Sequence, residues 1–276
     1  MLTDCPDTSF PDAVCSQNGS QCSALRTVEL SCAHMPGYVD LHAHYLAGVD
    51  DGATDWETTT DMVTGVMDLG FTHLYATPHQ RSGLFLPERT LLDSAFEDLK
   101  ALAVFSGRAM PGLAAENFWD EVLLQRMQQN TIPSYDGGPA FLFEVNPQMM
   151  PSGIENSLFE LRLKGKLPVM AHPERYVAIQ TQTDRAETIG RTAALVIDLA
   201  AVHGAHGKQE MRTARQLLTD GLVHAAATDI HGPDDLPAIA AGMAWIQKHL
   251  GQPRLTRLLD ENPRRILSGD LPDPVT

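Results

Sequence analysis

From Tyr38 onward, short apolar runs alternate with stretches in which apolar residues recur every three or four positions, as in βα units feeding a parallel sheet. Seven runs read as strands, at 38–43, 72–77, 109–115, 140–145, 167–171, 194–199 and 223–228. Helical periods fall near 55–69, 88–105, 118–129, 153–165, 183–190, 208–220 and 234–250. In the first of these, Met62, Val63, Val66, Met67 and Leu69 share one face while Asp55, Glu57, Asp61 and Asp68 occupy the other, so the apolar face packs on the sheet. Gly70, Gly107, Gly165, Gly190 and Gly221 each separate a helical period from the next strand, where a left-handed C-cap is least costly with glycine. The repetition favours a closed, TIM-like α/β barrel over an open sheet.

The 276 residues, 43% of them hydrophobic, suffice for one large domain with a sizeable core. Before residue 37 the periodicity is missing. Residues 1–36 are expected to be a disordered or loosely attached extension, with the barrel spanning 37–270 and a tail at 271–276. Met35, just before Pro36-Gly37, is a candidate start of translation. All four cysteines (Cys5, Cys15, Cys22, Cys32) lie in the extension, and with no secretion signal a disulfide cluster is not expected. They also exclude a cysteine-dependent phosphatase, which needs an arginine closing a phosphate loop six positions after the thiolate. Cys22 is followed by Arg26, too early, and Val28 holds the required place.

A net charge of −15 argues against nucleic acid or an anionic membrane surface as the main partner. An anionic substrate then requires metals and a few arginines to reverse the field locally. No apolar run approaches the roughly 18 residues of a membrane span, and no basic-then-apolar leader is present, so a cytoplasmic location without membrane insertion is expected.

Closed βα barrels gather their chemistry at the C-terminal strand ends. There the sequence places His42 and His44, His79, Glu116, His172, and Asp229 with His231. His42 and His44 are two apart and point the same way, a spacing that can hold one ion. The Gly48-Val-Asp-Asp-Gly52 turn brings a carboxylate back over the strand end; Asp51 is chosen as the ligand and Asp50 as the residue that orients the loop. Glu116, in Leu113-Ala-Ala-Glu-Asn117, is a carboxylate able to bridge two divalent cations. An N-cap role for Asp229 is weaker than ligation, because Asp234 and Asp235 are better placed to cap the following helix. Arg175, in His172-Pro-Glu-Arg-Tyr176, suits forked phosphate binding, and Arg81 is a second candidate. Glu174 either holds Arg175 or is a solvated charge. His203 and His206 follow the sixth strand; His203 stands where it could give a proton to a leaving group, but neither is assigned a role.

His-x-His with Val-Asp-Asp-Gly, then Thr77-Pro-His79, an isolated Glu116, Ala171-His-Pro-Glu-Arg-Tyr176, Thr228-Asp-Ile-His231 and Glu261-Asn-Pro-Arg-Arg-Ile266 together resemble the polymerase and histidinol phosphatase superfamily. Within it, the chain is most similar to the manganese-dependent protein-tyrosine phosphatases of bacterial capsule and exopolysaccharide synthesis, from residue 38 to about 268. The resemblance implies a distorted (β/α)7 barrel with three metal ions, manganese foremost and iron, zinc or magnesium as alternatives. Carried over, His42, His44, Glu116 and Asp229 bind one ion, Glu116 bridges to a second held also by His172, and Asp51, His79 and His231 bind the third. Arg175 matches the phosphate-binding arginine, so Arg175, Asp229 and Glu116 are the expected catalytic residues. The implied partner is a phosphotyrosine protein, a bacterial tyrosine autokinase, and a homo-oligomer is left open.

Departures from the pattern are the cysteine-bearing extension, the Gln80-Arg-Ser-Gly-Leu-Phe85 loop and a short segment from Asp198 to Lys208. Rival readings are a small-molecule phosphatase of the histidinol-phosphate type, an amidohydrolase and a non-catalytic metal-binding module. An amidohydrolase would carry a bridging lysine at the end of the fourth strand, where this chain has Phe141-Leu-Phe-Glu-Val145.

Overall fold

The computed structural model describes residues 37–276; the expectations for residues 1–36, including the cysteines and Met35, lie outside the described residues. Strands β1 (Tyr38–Asp40), β2 (Phe71–Ala76), β3 (His79–Gln80), β4 (Gly112–Leu113), β5 (Glu116–Phe118), β6 (Ala140–Glu144), β7 (Leu167–Ala171), β8 (Ala194–Asp198) and β9 (Ala225–Ala227) are joined in parallel. They form two sheets, ordered β1-β2-β4 and β3-β5-β6-β7-β8-β9.

The two sheets are parts of one seven-membered path. Pro78 lacks an N–H and interrupts the second predicted strand, which resumes as β3. The third predicted strand, 109–115, is displaced: residues 109–111 stay outside the ladder, and pairing occurs at β4 and again at β5. Single backbone bonds, Ala114 N to Ala76 O (2.9 Å) and Glu116 N to Pro78 O (3.1 Å), span the break. Beside it the buried Asn117 amide donates to the carbonyls of Ala115, Pro133 and Leu142, satisfying groups that a regular ladder would have paired.

First and last strands meet through a seam rather than a ladder. Ala43 and Ile230 form an isolated parallel bridge, and Asp229 N donates to His42 O at 2.8 Å. The fully buried Asp40 carboxylate accepts from Thr228 Oγ1 (2.6 Å) and Thr228 N (3.0 Å). At the opposite end of the seam, the Asn262 amide donates to His224 O (2.7 Å) and the Arg264 guanidinium to Gly37 O (2.9 Å). The Asn-Pro-Arg motif near the C-terminus therefore clips together the starts of the last and first strands.

The helices are α1 (Trp56–Asp68), α2 (Arg89–Lys100), α3 (Glu121–Gln129), α4 (Ile154–Leu163), α5 (Val177–Thr181), α6 (Asp184–Gly190), α7 (Leu199–His203), α8 (Lys208–Thr219), α9 (Leu236–Leu250), α10 (Gln252–Thr256) and α11 (Asn262–Leu267). Helices α5 and α7 are too short to leave a period in the sequence. Gly70, Gly107, Gly165 and Gly221 have positive φ as expected; Gly190 does not, and instead leaves room for the His224 ring, 3.3 Å from where a Cβ would stand. Alternate strand residues point to opposite cores: Val39, Leu41, Ala140, Leu142, Val169 and Ala225 inside the ring, and Phe141, Phe143, Met170 and Ile197 outward under the helices. The segment expected as a tail buries Val275, whose N–H donates to Val223 O. Among the described residues no helix is long and apolar enough to cross a membrane.

Thr228→Val removes the hydroxyl donor to Asp40 while keeping the side chain's shape and the backbone donor. Loss of a bond to a buried carboxylate should cost about 1–3 kcal/mol, read as a lower urea midpoint with an unchanged slope; an unaltered midpoint would show that the seam does not depend on this pair.

Candidate metal centre

All eight residues singled out as metal donors converge at the C-terminal rim of the strands. Glu116, the first residue of β5 and fully buried, is the hub. Its Oε1 lies 2.9 Å from His172 Nε2, and its Oε2 lies 3.3 Å from His42 Nε2, 3.5 Å from His44 Nε2 and 2.9 Å from His79 Nδ1. Asp229 Oδ1 lies 3.2 Å from His42 Nε2 and 3.5 Å from His44 Nε2. Both His172 (φ 33°) and Asp229 (φ 48°) adopt left-handed backbone conformations that non-glycine residues rarely take. The strain turns the chain sharply just past β7 and β9. Around His172 it is braced by Tyr176, whose hydroxyl donates to Ala171 O, and by Arg175 N donating to His172 O.

The turn after His44 closes on itself through Gly48 N to Ala53 O (2.8 Å) and Ala53 N to His44 O (2.9 Å). Gly48 has a φ of 70°, and a Cβ on Gly52 would stand 1.9 Å from His44 O, so both positions require glycine. The closure separates the two aspartates. Asp50 points inward, accepting from His44 Nδ1 (2.8 Å), His79 N (3.1 Å) and Gly52 N (3.1 Å). Asp51 is half exposed, with Oδ1 3.3 Å from His79 Nε2 and 3.7 Å from His231 Nε2. His231 stacks on His44 with centroids 4.1 Å apart, and its Nδ1 donates to Asp229 O. The Asp235 carboxylate takes the N–H groups of His231 and Gly232, capping the 3-10 turn Pro233–Asp235 that leads into α9 and not α9 itself.

Four groups of donor atoms lie within 4.8 Å of one another: His44, Asp51, His79 and His231; His42, His44 and Glu116; His42, His172 and Asp229; and His79, Glu116 and Glu144. The partition differs from the expected one in two ways. His44 joins Asp51, His79 and His231, and Asp229 sits with His42 and His172. Glu144, at the end of β6, is an acid that sequence reasoning passed over, although it ends a buried strand just as Glu116 stands at a strand end.

Arg175 lies beside the cluster. Its NH2 nitrogen is 2.7 Å from Asp229 Oδ2, 2.8 Å from Asp198 Oδ2 and 2.9 Å from His206 Nε2, and its Nε is buried without a partner. Asp198, at the end of β8, was likewise missed. Glu174 neither holds Arg175 nor is solvated: it is fully buried and accepts from Asp198 N. Burial, reinforced by the Asp198 charge, holds its carboxyl well above the usual range. Arg81 is set apart, its guanidinium over the Phe118 ring at 4.2 Å and its backbone bridged to Phe85.

The donor chemistry fits divalent cations. Glu116 Oε2, Glu144 Oε1, His79 Nδ1 and His172 Nδ1 are buried yet make no well-formed hydrogen bond. Such atoms are costly unless something else compensates them, and nitrogen and oxygen donors in this density suit manganese, iron or zinc.

The model of the family described as capsular polysaccharide synthesis, CpsB/CapC, matches residues 38–268, and the chain belongs to this family. Its curated relatives include the tyrosine-protein phosphatase CpsB of Streptococcus agalactiae, 26% identical over 83% of this chain and 98% of the relative. Another is the tyrosine-protein phosphatase YwqE of Bacillus subtilis, 26% identical over 70% and 77%. A crystal structure from work on YwqE of B. subtilis and CpsB of Streptococcus pneumoniae, described as unique metal-dependent tyrosine phosphatases, superposes with a TM-score of 0.75 at 25% identity, covering 86% of this chain and 99% of that one. A β-aspartyl dipeptidase from Fervidobacterium islandicum shares the fold alone, with a TM-score of 0.53 at 14% identity over 87% of this chain and 76% of the other.

Protonation gives a test of the donor set. Burial pushes His44 down, but the Asp229 and Asp50 carboxylates outweigh it and lift the ring to about 10. Burial likewise opposes His79, which Glu116 and Glu144 lift to about 11. These folded-state values exceed the ordinary 6.5, so both rings stabilise the metal-free fold below that pH and lose their contribution as pH rises through about 10. A cation needs neutral imidazoles and must expel these protons. Calorimetry of manganese binding at pH 7 in two buffers of different ionisation heat should therefore report release of about one proton or more per protein, with affinity rising with pH; binding without release would refute the donor set.

Proposed function

We propose that the chain is a metal-dependent protein-tyrosine phosphatase acting in the cytoplasm on phosphotyrosine proteins of polysaccharide synthesis, its substrate a bacterial tyrosine autokinase. The observation that carries this reading is the buried Glu116 hub, ringed by four imidazoles and flanked by an arginine with an unpartnered Nε, in a chain whose family includes proteins named tyrosine phosphatases. The catalytic domain is taken as 37–270, with 1–36 an extension and 271–276 a tail that packs back on the domain through Val275.

Manganese is the proposed metal. His42, His44, Asp51, His79, Glu116, His172, Asp229 and His231 would hold the ions, joined by Glu144, with Glu116 shared between sites. Bound cations would offset the phosphate's negative charge and acidify water at neutral pH.

The remaining work falls to the chain's own groups. Arg175 is anchored through NH2 by two carboxylates, which leaves its other terminal amino nitrogen to donate to a phosphate oxygen. Asp50 fixes the His44 ring and, through His79 N, the start of β3. Arg81, on the neighbouring loop, is proposed as a second contact to the substrate. Where amidohydrolases carry a bridging lysine, Glu144 supplies a carboxylate, which favours phosphate-ester chemistry over that rival.

The phenolate of tyrosine, with a pKa of roughly 10, leaves more readily than an alkoxide. Manganese-loaded protein should turn over phosphotyrosine peptides at least about 10²-fold faster than phosphoserine peptides, and equal turnover would favour a general small-molecule phosphatase. Glu116→Ala and Asp229→Ala should each lose bound metal, measured by elemental analysis, together with hydrolysis. An active variant lacking metal would remove the basis of the proposal.

A further inference from the structure

We propose that His206, oriented by Asp198, is the general acid that protonates the leaving oxygen of the phosphate ester, an inference that rests on the phosphatase reading above. His206 lies in the tight turn between α7 and α8, next to Gly207 (φ 125°) and closed by Gly207 N donating to Gly204 O. The turn sets the imidazole against Arg175. His206 Nε2 is 2.5 Å from Asp198 Oδ2 and 2.9 Å from Arg175 NH2.

Asp198 is a rigid anchor for that ring. Its Oδ1 caps α7 by accepting from Ala200 N (2.7 Å), its N–H is held by Glu174 Oε1 (3.1 Å), and its Oδ2 is left for Arg175 and His206. With the Nε2 proton committed to Asp198, the 2.9 Å approach of Nε2 to Arg175 NH2 is a contact and not a hydrogen bond, and the second nitrogen, Nδ1, has no hydrogen bond to a described residue. The side chain is 36% exposed, so solvent can restore its proton between turnovers.

Other proton sources near Arg175 are already occupied. The rings of His42, His44, His79, His172 and His231 face the donor cluster. The Tyr176 hydroxyl is buried and donates to Ala171 O. His203, the residue suggested by position along the chain, is exposed at the end of α7, whereas His206 touches the arginine.

In the step itself, a water oxygen bonds to phosphorus as the phosphorus–phenolate bond breaks and its electron pair moves to the phenolic oxygen. That oxygen takes the Nδ1 proton, converting imidazolium to imidazole. The products are tyrosine and phosphate; one water is consumed, and its proton restores the imidazolium by way of solvent.

The test is the dependence of rate on leaving group in His206→Gln and His206→Ala, with manganese content measured beside it. Phosphotyrosine peptides need a proton at the leaving oxygen, whereas the weakly basic phenolate of 4-nitrophenyl phosphate does not. Each variant should keep the parent's metal content and lose about 10²-fold in kcat/KM on phosphotyrosine peptide, with a loss at least about tenfold smaller on 4-nitrophenyl phosphate. Added imidazole should rescue His206→Ala selectively on the peptide. Equal losses on both esters, or no loss on either, would overturn the acid role while leaving the phosphatase reading intact. Parent protein that hydrolyses neither ester would overturn both.

Discussion

A carboxylate without exposed surface sits at the centre of this molecule, and the architecture is arranged around meeting its cost. Burial alone would drive Glu116 towards its neutral form, yet the charge and hydrogen bonds of His42, His172 and His79 hold it well below the usual carboxylate range. The imidazoles must come from the ends of separate strands to surround one carboxylate, so the sheet has to curl far enough to bring β1, β3, β5 and β7 to a common point. Curling and charge compensation are thus two descriptions of one constraint. Two of the clustered rings are also held from behind: Asp50 steadies His44, and the Asp229 carbonyl steadies His231.

Much of this was legible in the chain because strand ends are easy to find and barrels place chemistry there. The seven-run pattern brought the eight candidate donors to strand ends, and in the structure the glycine-closed turn directs Asp50 inward and Asp51 outward. What escaped reading depends on contacts between distant residues. Asn117 repairs a break in the sheet by reaching three carbonyls, and no local pattern announces such a role. Glu144 and Asp198 end apolar runs as Glu116 follows one, but neither belongs to a motif with a second polar residue, so nothing near them in sequence drew notice. The sharing of His44 between donor groups follows from ring stacking with His231, which spacing along the chain does not encode.

The likeness to a dipeptidase at 14% identity shows how little the barrel alone says about chemistry. A carboxylate at Glu144 adds negative charge and draws His79 between two acids. Arg175 answers on the other side, pulled towards Asp198 and Asp229, so that a strongly acidic protein presents a local cation where an anionic group would enter.

The seam between first and last strands has a consequence for how the protein is made. Asp40 finds its partner 188 residues later in Thr228, and the clip that finishes the ring comes from Asn262 and Arg264. During synthesis His42 and His44 emerge long before Asp229 and His231, and they remain without their complete set of companions until those residues have also been made. Assembly of the centre therefore waits on residues far along the chain, and a product ending before Thr228 lacks both the seam partner of Asp40 and two members of the cluster.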